Sequence, residues 1–333
     1  MSTTSQTPAN DLPGATSGDR PRLPKRFSVY SDFWTRIQTQ GIHDGPLFFE
    51  PILLFFYTVF FFLLCPGTRN PVIGNLCVLF PNSPWIINAL RSFRVFWSFA
   101  NSITDAIRCR EGENVIDWEV EGDGNFRSLT NNEGGAIVLT AHMGNYDVAA
   151  PMFANKFGKK LNAVRAPERD PVRQQNMREK FSAEATADYE VHYNSDDKLL
   201  GIDLVQALMR GEYVAVQGDR VLFDVSPLKV PLGDLPGFHM NIPKGPFVLA
   251  LTSKVPVLPL FVLRLGRRKY RIIVLPPFPC ERKSRDHNMA INEAASRWVD
   301  ALMPLVRRYW FQWYVFEQAF FSDMDQESDQ LTN

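Results

Sequence analysis

His142, one of only five histidines in the chain, stands five residues before a carboxylate in His142-Met-Gly-Asn-Tyr-Asp147. A carboxylate that accepts the Nδ1 proton of an imidazole fixes its tautomer and leaves Nε2 free to take a proton from a hydroxyl. The hydroxyl then attacks an acyl carbon directly, and no nucleophile from the protein is needed. Inside one regular helix, residues five apart differ by roughly 140° around the axis and do not meet. The pair can meet only if His142 lies in a turn and Asp147 in the first turn of the helix that follows. The competing reading makes His142 a partly buried turn histidine and Asp147 a helix N-terminal acid favoured by the dipole.

The flanking residues supply that turn. Gly135-Ala-Ile-Val-Leu-Thr-Ala141 reads as a short buried strand. Asn145 to Phe157 has apolar residues at helical spacing, with Gly158 as its stop. His142 is therefore expected at the C-terminal end of a strand, the edge where open α/β sheets bind ligands. Downstream, Glu212-Tyr-Val-Ala-Val-Gln217 reads as another strand, with Gly218-Asp-Arg220 in its C-terminal turn. Both polar clusters sit at strand ends, which permits one shared site. Arg220 and Arg165 are candidates for an electropositive group beside a phosphate or a developing oxyanion. Asp219 is expected to orient Arg220 instead of acting as a second base. Ordinary surface ion pairs are the alternative for all three.

These blocks resemble the lysophospholipid acyltransferase superfamily, whose signature is His, four residues, then Asp, and within it the bacterial branch that contains the late lipid A acyltransferases. The resemblance covers roughly residues 32–316. It places His142 and Asp147 on the catalytic pair, Gly144 and Asn145 in the turn between them, and Asp219 and Arg220 where the branch has a polar pair. Val230-Pro-Leu-Gly233, Ile242-Pro-Lys-Gly-Pro246 and Val255-Pro-Val-Leu-Pro259 follow in the family order, with Lys244 and Gly245 on a segment that lines the acceptor side. A local cap or loop role accounts for Lys244 and Gly245 as well. The Phe-Pro-Glu-Gly block of the glycerol-phosphate branch is absent, which argues against a simple glycerol-phosphate acceptor. The implied fold is a glycerolipid acyltransferase-like α/β domain. The implied reaction moves a fatty acyl group from acyl carrier protein (ACP) or coenzyme A (acyl-CoA) to a hydroxyl of a membrane lipid or glycolipid, with no further cofactor.

From Gly134 onward, short apolar strands alternate with helical stretches, as a central mostly parallel sheet flanked by helices requires. Expected strands are Leu161 to Arg165 and Tyr189 to Tyr193, and expected helices run from Pro171 to Glu184 and from Asp196, capped there or at Ser195, to Arg210. A hairpin of Val257 to Leu265 and Tyr270 to Leu275, with Gly266 in the turn, precedes a last helix from His287 to Arg308. The aromatics of Trp310 to Phe316 read as core or interface packing. His43, His192, His239 and His287 have no spacing that suggests a metal.

Thirty-six basic residues balance thirty-six acidic ones, which argues against a dedicated nucleic-acid binder. Basic stretches at Arg264 to Arg271 and Lys156 to Lys180 would suit anionic lipid or an acidic carrier protein, or are simply solvated faces. Cys65, Cys77, Cys109 and Cys280 read as free thiols in a reducing compartment. Residues 1–26 have the composition of a disordered tail and lack the apolar region of a signal peptide. The catalytic domain is therefore expected on the cytoplasmic face of the inner membrane. The chain divides into a tail (1–31), a membrane-associated helical region (32–110), an acyltransferase domain (111–321) and an acidic tail (322–333). The apolar run Pro51 to Leu64 would be about 21 Å long as a helix, short of the roughly 30 Å hydrocarbon core. An N-terminal element that dips into one leaflet is expected in preference to a full crossing or a buried core helix.

Two further functions fit the same residues. One is a lipid-binding protein that kept the fold and lost catalysis. The other is a lipid or thioester hydrolase, against which stands the lack of any Gly-x-Ser-x-Gly elbow.

Overall fold

The computed structural model describes residues 50–110, 116–130, 134–167, 171–184, 188–194, 199–221, 227–282 and 285–323. Residues 1–31 and most of the acidic tail lie outside the described residues, as do Ser195 and Asp196.

Ala136–Thr140 (β2) is buried at every position because it has a parallel strand on each side and helices over both faces. Its side chains alternate as a pleated strand requires. Ile137 and Leu139 enter one core with Phe247 and Trp298, whereas Ala136 and Val138 enter a second with Phe126 and Phe153. The first core is covered by the helices Gly245–Ser253 (α8) and His287–Arg308 (α9), the second by Tyr146–Phe157 (α5) and Asp123–Thr130 (α4).

The seven-stranded sheet runs β1-β9-β8-β2-β5-β3-β4. Its remaining strands are Asp117–Glu121 (β1), Leu161–Arg165 (β3), Tyr189–Tyr193 (β4), Tyr213–Gln217 (β5), Val257–Gly266 (β8) and Lys269–Val274 (β9). Only the β8/β9 pairing is antiparallel, so the expected mostly parallel sheet is present. The turn of that hairpin is Arg267-Arg268, with Arg268 at φ +56°, and Gly266 pairs with Lys269 just before it. The helices Pro171–Glu184 (α6) and Leu200–Met209 (α7) complete the domain. A small antiparallel sheet of Pro227–Pro231 (β6), Phe238–Pro243 (β7) and Phe320–Ser322 (β10) packs on the first core. Prolines and short runs hide the alternation of this sheet in the sequence.

At the N-terminal side, Glu50–Leu64 (α1) meets Pro66–Leu79 (α2) at an angle of 89°. Proline at the start of α2 has no amide proton to continue the α1 ladder, which accounts for the break. No single described helix is long and apolar enough to cross a membrane, while the bent pair reaches the length and composition together. One face of α1 is buried through Leu54, Thr58 and Phe61, and the other exposes Ile52, Phe55, Phe56 and Leu63. Trp85–Arg110 (α3) adds exposed Trp85, Ile86 and Leu90.

Buried charges fasten these helices to the sheet. Asp105 of α3 accepts hydrogen bonds from Arg264 Nε at 2.8 Å and the Tyr270 hydroxyl at 2.7 Å. Glu50 accepts from Arg108 and Arg267, each at 3.2 Å. Glu50 is thus an internal ion partner. Lys269 and Arg271 pair with Glu119, so the basic stretch Arg264 to Arg271 is largely neutralised by the protein's own acids. Asp105→Ala would leave Arg264 partly buried without its carboxylate, and a loss of about 3–5 kcal/mol in unfolding free energy is expected by chemical denaturation.

Candidate active site

The pairing of β2 with β5 sets the site. Thr140 lies opposite Gln217, and two residues beyond each strand end His142 and Asp219 face one another. Gly218 N–H donates to Thr140 O at 2.8 Å, which carries the ladder one step past the strands. Any Cβ at Gly218 would lie 2.8 Å from the Leu139 side chain and 3.0 Å from Trp298 Nε1, so glycine is required for this close approach.

His142 Nδ1 lies 2.7 Å from Asp219 Oδ1, and the His142 backbone N–H donates to Oδ2 at 2.8 Å. Trp313 Nε1–H donates to the same Oδ2 at 2.9 Å. A carboxylate cannot donate, so Nδ1 carries the proton and Nε2 is the basic atom. Among the described residues nothing is hydrogen-bonded to Nε2. Asp219 is only 1% exposed. Burial alone would push its pKa up, yet the facing imidazole and the three N–H donors hold the carboxyl below the ordinary aspartate value.

The carboxylate that bonds the imidazole is therefore Asp219, and the expected pairing with Asp147 is corrected. Asp147 lies in the first turn of α5, where its side chain meets Arg165 at the end of β3 and accepts from Arg165 Nη1. Burial disfavours the Arg165 charge, but Asp147 more than offsets this and holds the guanidinium above its usual value. Its guanidinium also lies 4.7 Å from the centre of the Phe181 ring. The expected pairing of Asp219 with Arg220 is corrected in the same way. Arg220 donates to Glu317 at 3.0 and 3.1 Å.

Tyr146 packs edge-on to the imidazole at 5.4 Å between ring centres. Burial and then Asp147 push its phenol above the ordinary range, while Arg165 and Arg220 pull it down. Tyr146 therefore stays a neutral hydroxyl in the field of both arginines. Tyr146 thus stands between an imidazole with a basic Nε2 and the field of two arginines, each paired with a carboxylate.

Gly144 and Asn145 build the turn. Gly144 has φ +56°, and a Cβ there would sit 2.4 Å from Val262 O. Asn145 Nδ2 donates to Ser102 O of α3 at 3.2 Å. Gly144→Ala is expected to lower unfolding free energy by about 1–3 kcal/mol, read as a reduced Tm, because strain and a backbone clash add at one position. Lys244 Nζ donates to Asn288 Oδ1 at 3.2 Å, and Gly245 opens α8. Among the described residues no hydrogen bond joins Lys244 or Gly245 to the His142 cluster. Nor do three or more His, Cys, Asp or Glu groups gather among the described residues where they could hold a metal ion.

The C-terminal segment contributes more than packing. Tyr314 N–H donates to His142 O at 2.7 Å, and Gly144 N–H to Gln312 O at 3.4 Å. Sequence reasoning missed Trp313, Glu317 and Tyr146. The available signal was that a buried indole N–H needs an acceptor.

A model of the bacterial lipid A biosynthesis acyltransferase family matches residues 88–319, a span that holds His142, Asp147, Arg165, Asp219, Arg220, Lys244 and Trp313. No curated protein matches the sequence.

Proposed function

This chain belongs to the bacterial lipid A biosynthesis acyltransferase family and is an acyltransferase that acts on lipid, and we propose that His142 is its general base, held by Asp219. Family membership implies an acyl donor and a lipid acceptor. In our reading the donor is an ACP thioester first and acyl-CoA second, and the acceptor is a hydroxyl of a membrane lipid or glycolipid. Nε2 of His142 takes the hydroxyl proton as the oxygen attacks the thioester carbonyl. The C–S bond then breaks, the imidazolium returns the proton to the leaving thiolate, and an ester and a free thiol result. Arg220 and Arg165, with backbone amides, stabilise the charge that develops on the carbonyl oxygen. Supporting this reading most directly is the buried Asp219–His142 bond, which leaves Nε2 with no hydrogen bond among the described residues.

The exposed apolar residues of α1 and of the α3 N-terminus would lie in the cytoplasmic leaflet of the inner membrane and bring the site to its acceptor. Thiol release from acyl-ACP and from acyl-CoA, measured with and without a membrane lipid extract, tests the reading. Release that depends on lipid supports transfer and ranks the two donors. Lipid-independent release of free fatty acid would show a hydrolase, and no release with either donor would favour a lipid-binding protein.

A further inference from the structure

We propose that Trp313 is a positioning residue for acyl transfer, which fixes through its indole N–H the carboxylate that orients His142. This rests on the reading of His142 as the base. Trp313 is 4% exposed, and its one polar atom is spent on Asp219 Oδ2. The backbone of the same residue bridges to that of Met143, so one residue touches both the histidine turn and the carboxylate. The neighbouring Tyr314 amide holds the His142 carbonyl, and the Tyr314 hydroxyl bonds Ser98 and Ser102 of α3 at 3.1 and 2.9 Å. The backbone that carries the indole is thus tied both to α3 and to the histidine turn at the sheet edge. A carboxylate on a single bond to Cβ can rotate. Two N–H donors converging on Oδ2 stop that rotation with Oδ1 aimed at Nδ1.

The other charged and titratable groups around the ring are Arg220 beyond β5, Tyr146 and Asp147 on α5, Arg165 at the end of β3 and Glu317 on the C-terminal segment. Tyr146 is held neutral, and Asp147 and Glu317 are each paired with an arginine. Among the described residues none of these is hydrogen-bonded to the imidazole, whereas Asp219 is.

The test uses the full chain with ¹⁵N-labelled histidine, in Trp313→Phe and in a variant carrying benzothienylalanine at 313, which keeps the bicyclic shape and lacks the N–H. The His142 resonances are assigned by their loss in His142→Ala. The expected result is a His142 titration midpoint shifted downward in both variants, because a carboxylate free to rotate gives up its bond to Nδ1; an upward shift would contradict the proposal. A fall in kcat of about tenfold to a hundredfold with KM little changed is expected alongside it, the range for one lost hydrogen bond to a charged group. An unmoved midpoint in the benzothienyl variant, whatever the change in Tm, would overturn the proposal. The midpoint requires no substrate, so failure of the acyltransfer reading would appear separately, as full activity in His142→Ala.

Discussion

His142→Ala is expected to lower acyl transfer by about a hundred- to ten-thousandfold while the fold is retained, because the variant removes the only atom proposed to accept the acceptor's proton. The fold survives because the main-chain bonds at this position do not need the imidazole. The backbone N–H still reaches Asp219, and the carbonyl still accepts from Tyr314 N–H. Thiol release in the presence of lipid, with circular dichroism and Tm as controls for folding, measures the effect. Activity within a few-fold of wild type would remove His142 from the chemistry.

Asp219→Asn is expected to be nearly as damaging, and the geometry says why. The Oδ2 position receives two N–H donors, from the His142 backbone and from Trp313. An asparagine must place its carbonyl oxygen there, which turns its NH₂ toward Nδ1. Nδ1 then has to accept, the ring proton moves to Nε2, and the base is lost to the wrong tautomer. In serine proteases the same change lowers kcat about ten-thousandfold. Asp147→Asn is expected to cost far less, since Asp147 bonds Arg165 and not the imidazole. Parallel kcat measurements on the two variants decide which carboxylate orients the base. A larger loss in Asp147→Asn would restore the pairing that sequence spacing alone suggests.

That spacing shows how far the residues could be read without the fold. The strand–turn–helix around His142 was legible because Gly135, the apolar run and Gly158 mark its ends, and the helix does stop at Gly158 with φ +61°. The mostly parallel sheet was legible from alternating strand and helix patterns. Strand register was not. Nothing local to Ala136–Thr140 or Tyr213–Gln217 says that the two are neighbours with Thr140 opposite Gln217, and that register puts Asp219 on the imidazole. A carboxylate five residues away in sequence was the nearer choice on paper, yet the helix turns it toward Arg165. Trp313 and Glu317 were hidden for a related reason. Their partners are 94 and 97 residues away, so an aromatic run looked like packing alone. Glu50 stands next to the apolar run, and only the packing of α3 and the β8/β9 turn against α1 reveals its arginine partners.

The most direct test of the account is to incubate the purified protein with an isotope-labelled acyl-ACP thioester and a bacterial membrane lipid extract, and to weigh the lipids by mass spectrometry with wild type beside His142→Ala. A lipid that gains one labelled acyl mass with wild type and does not with the variant is the expected result. Equal acylation by both proteins, or label recovered only as free fatty acid, would contradict it.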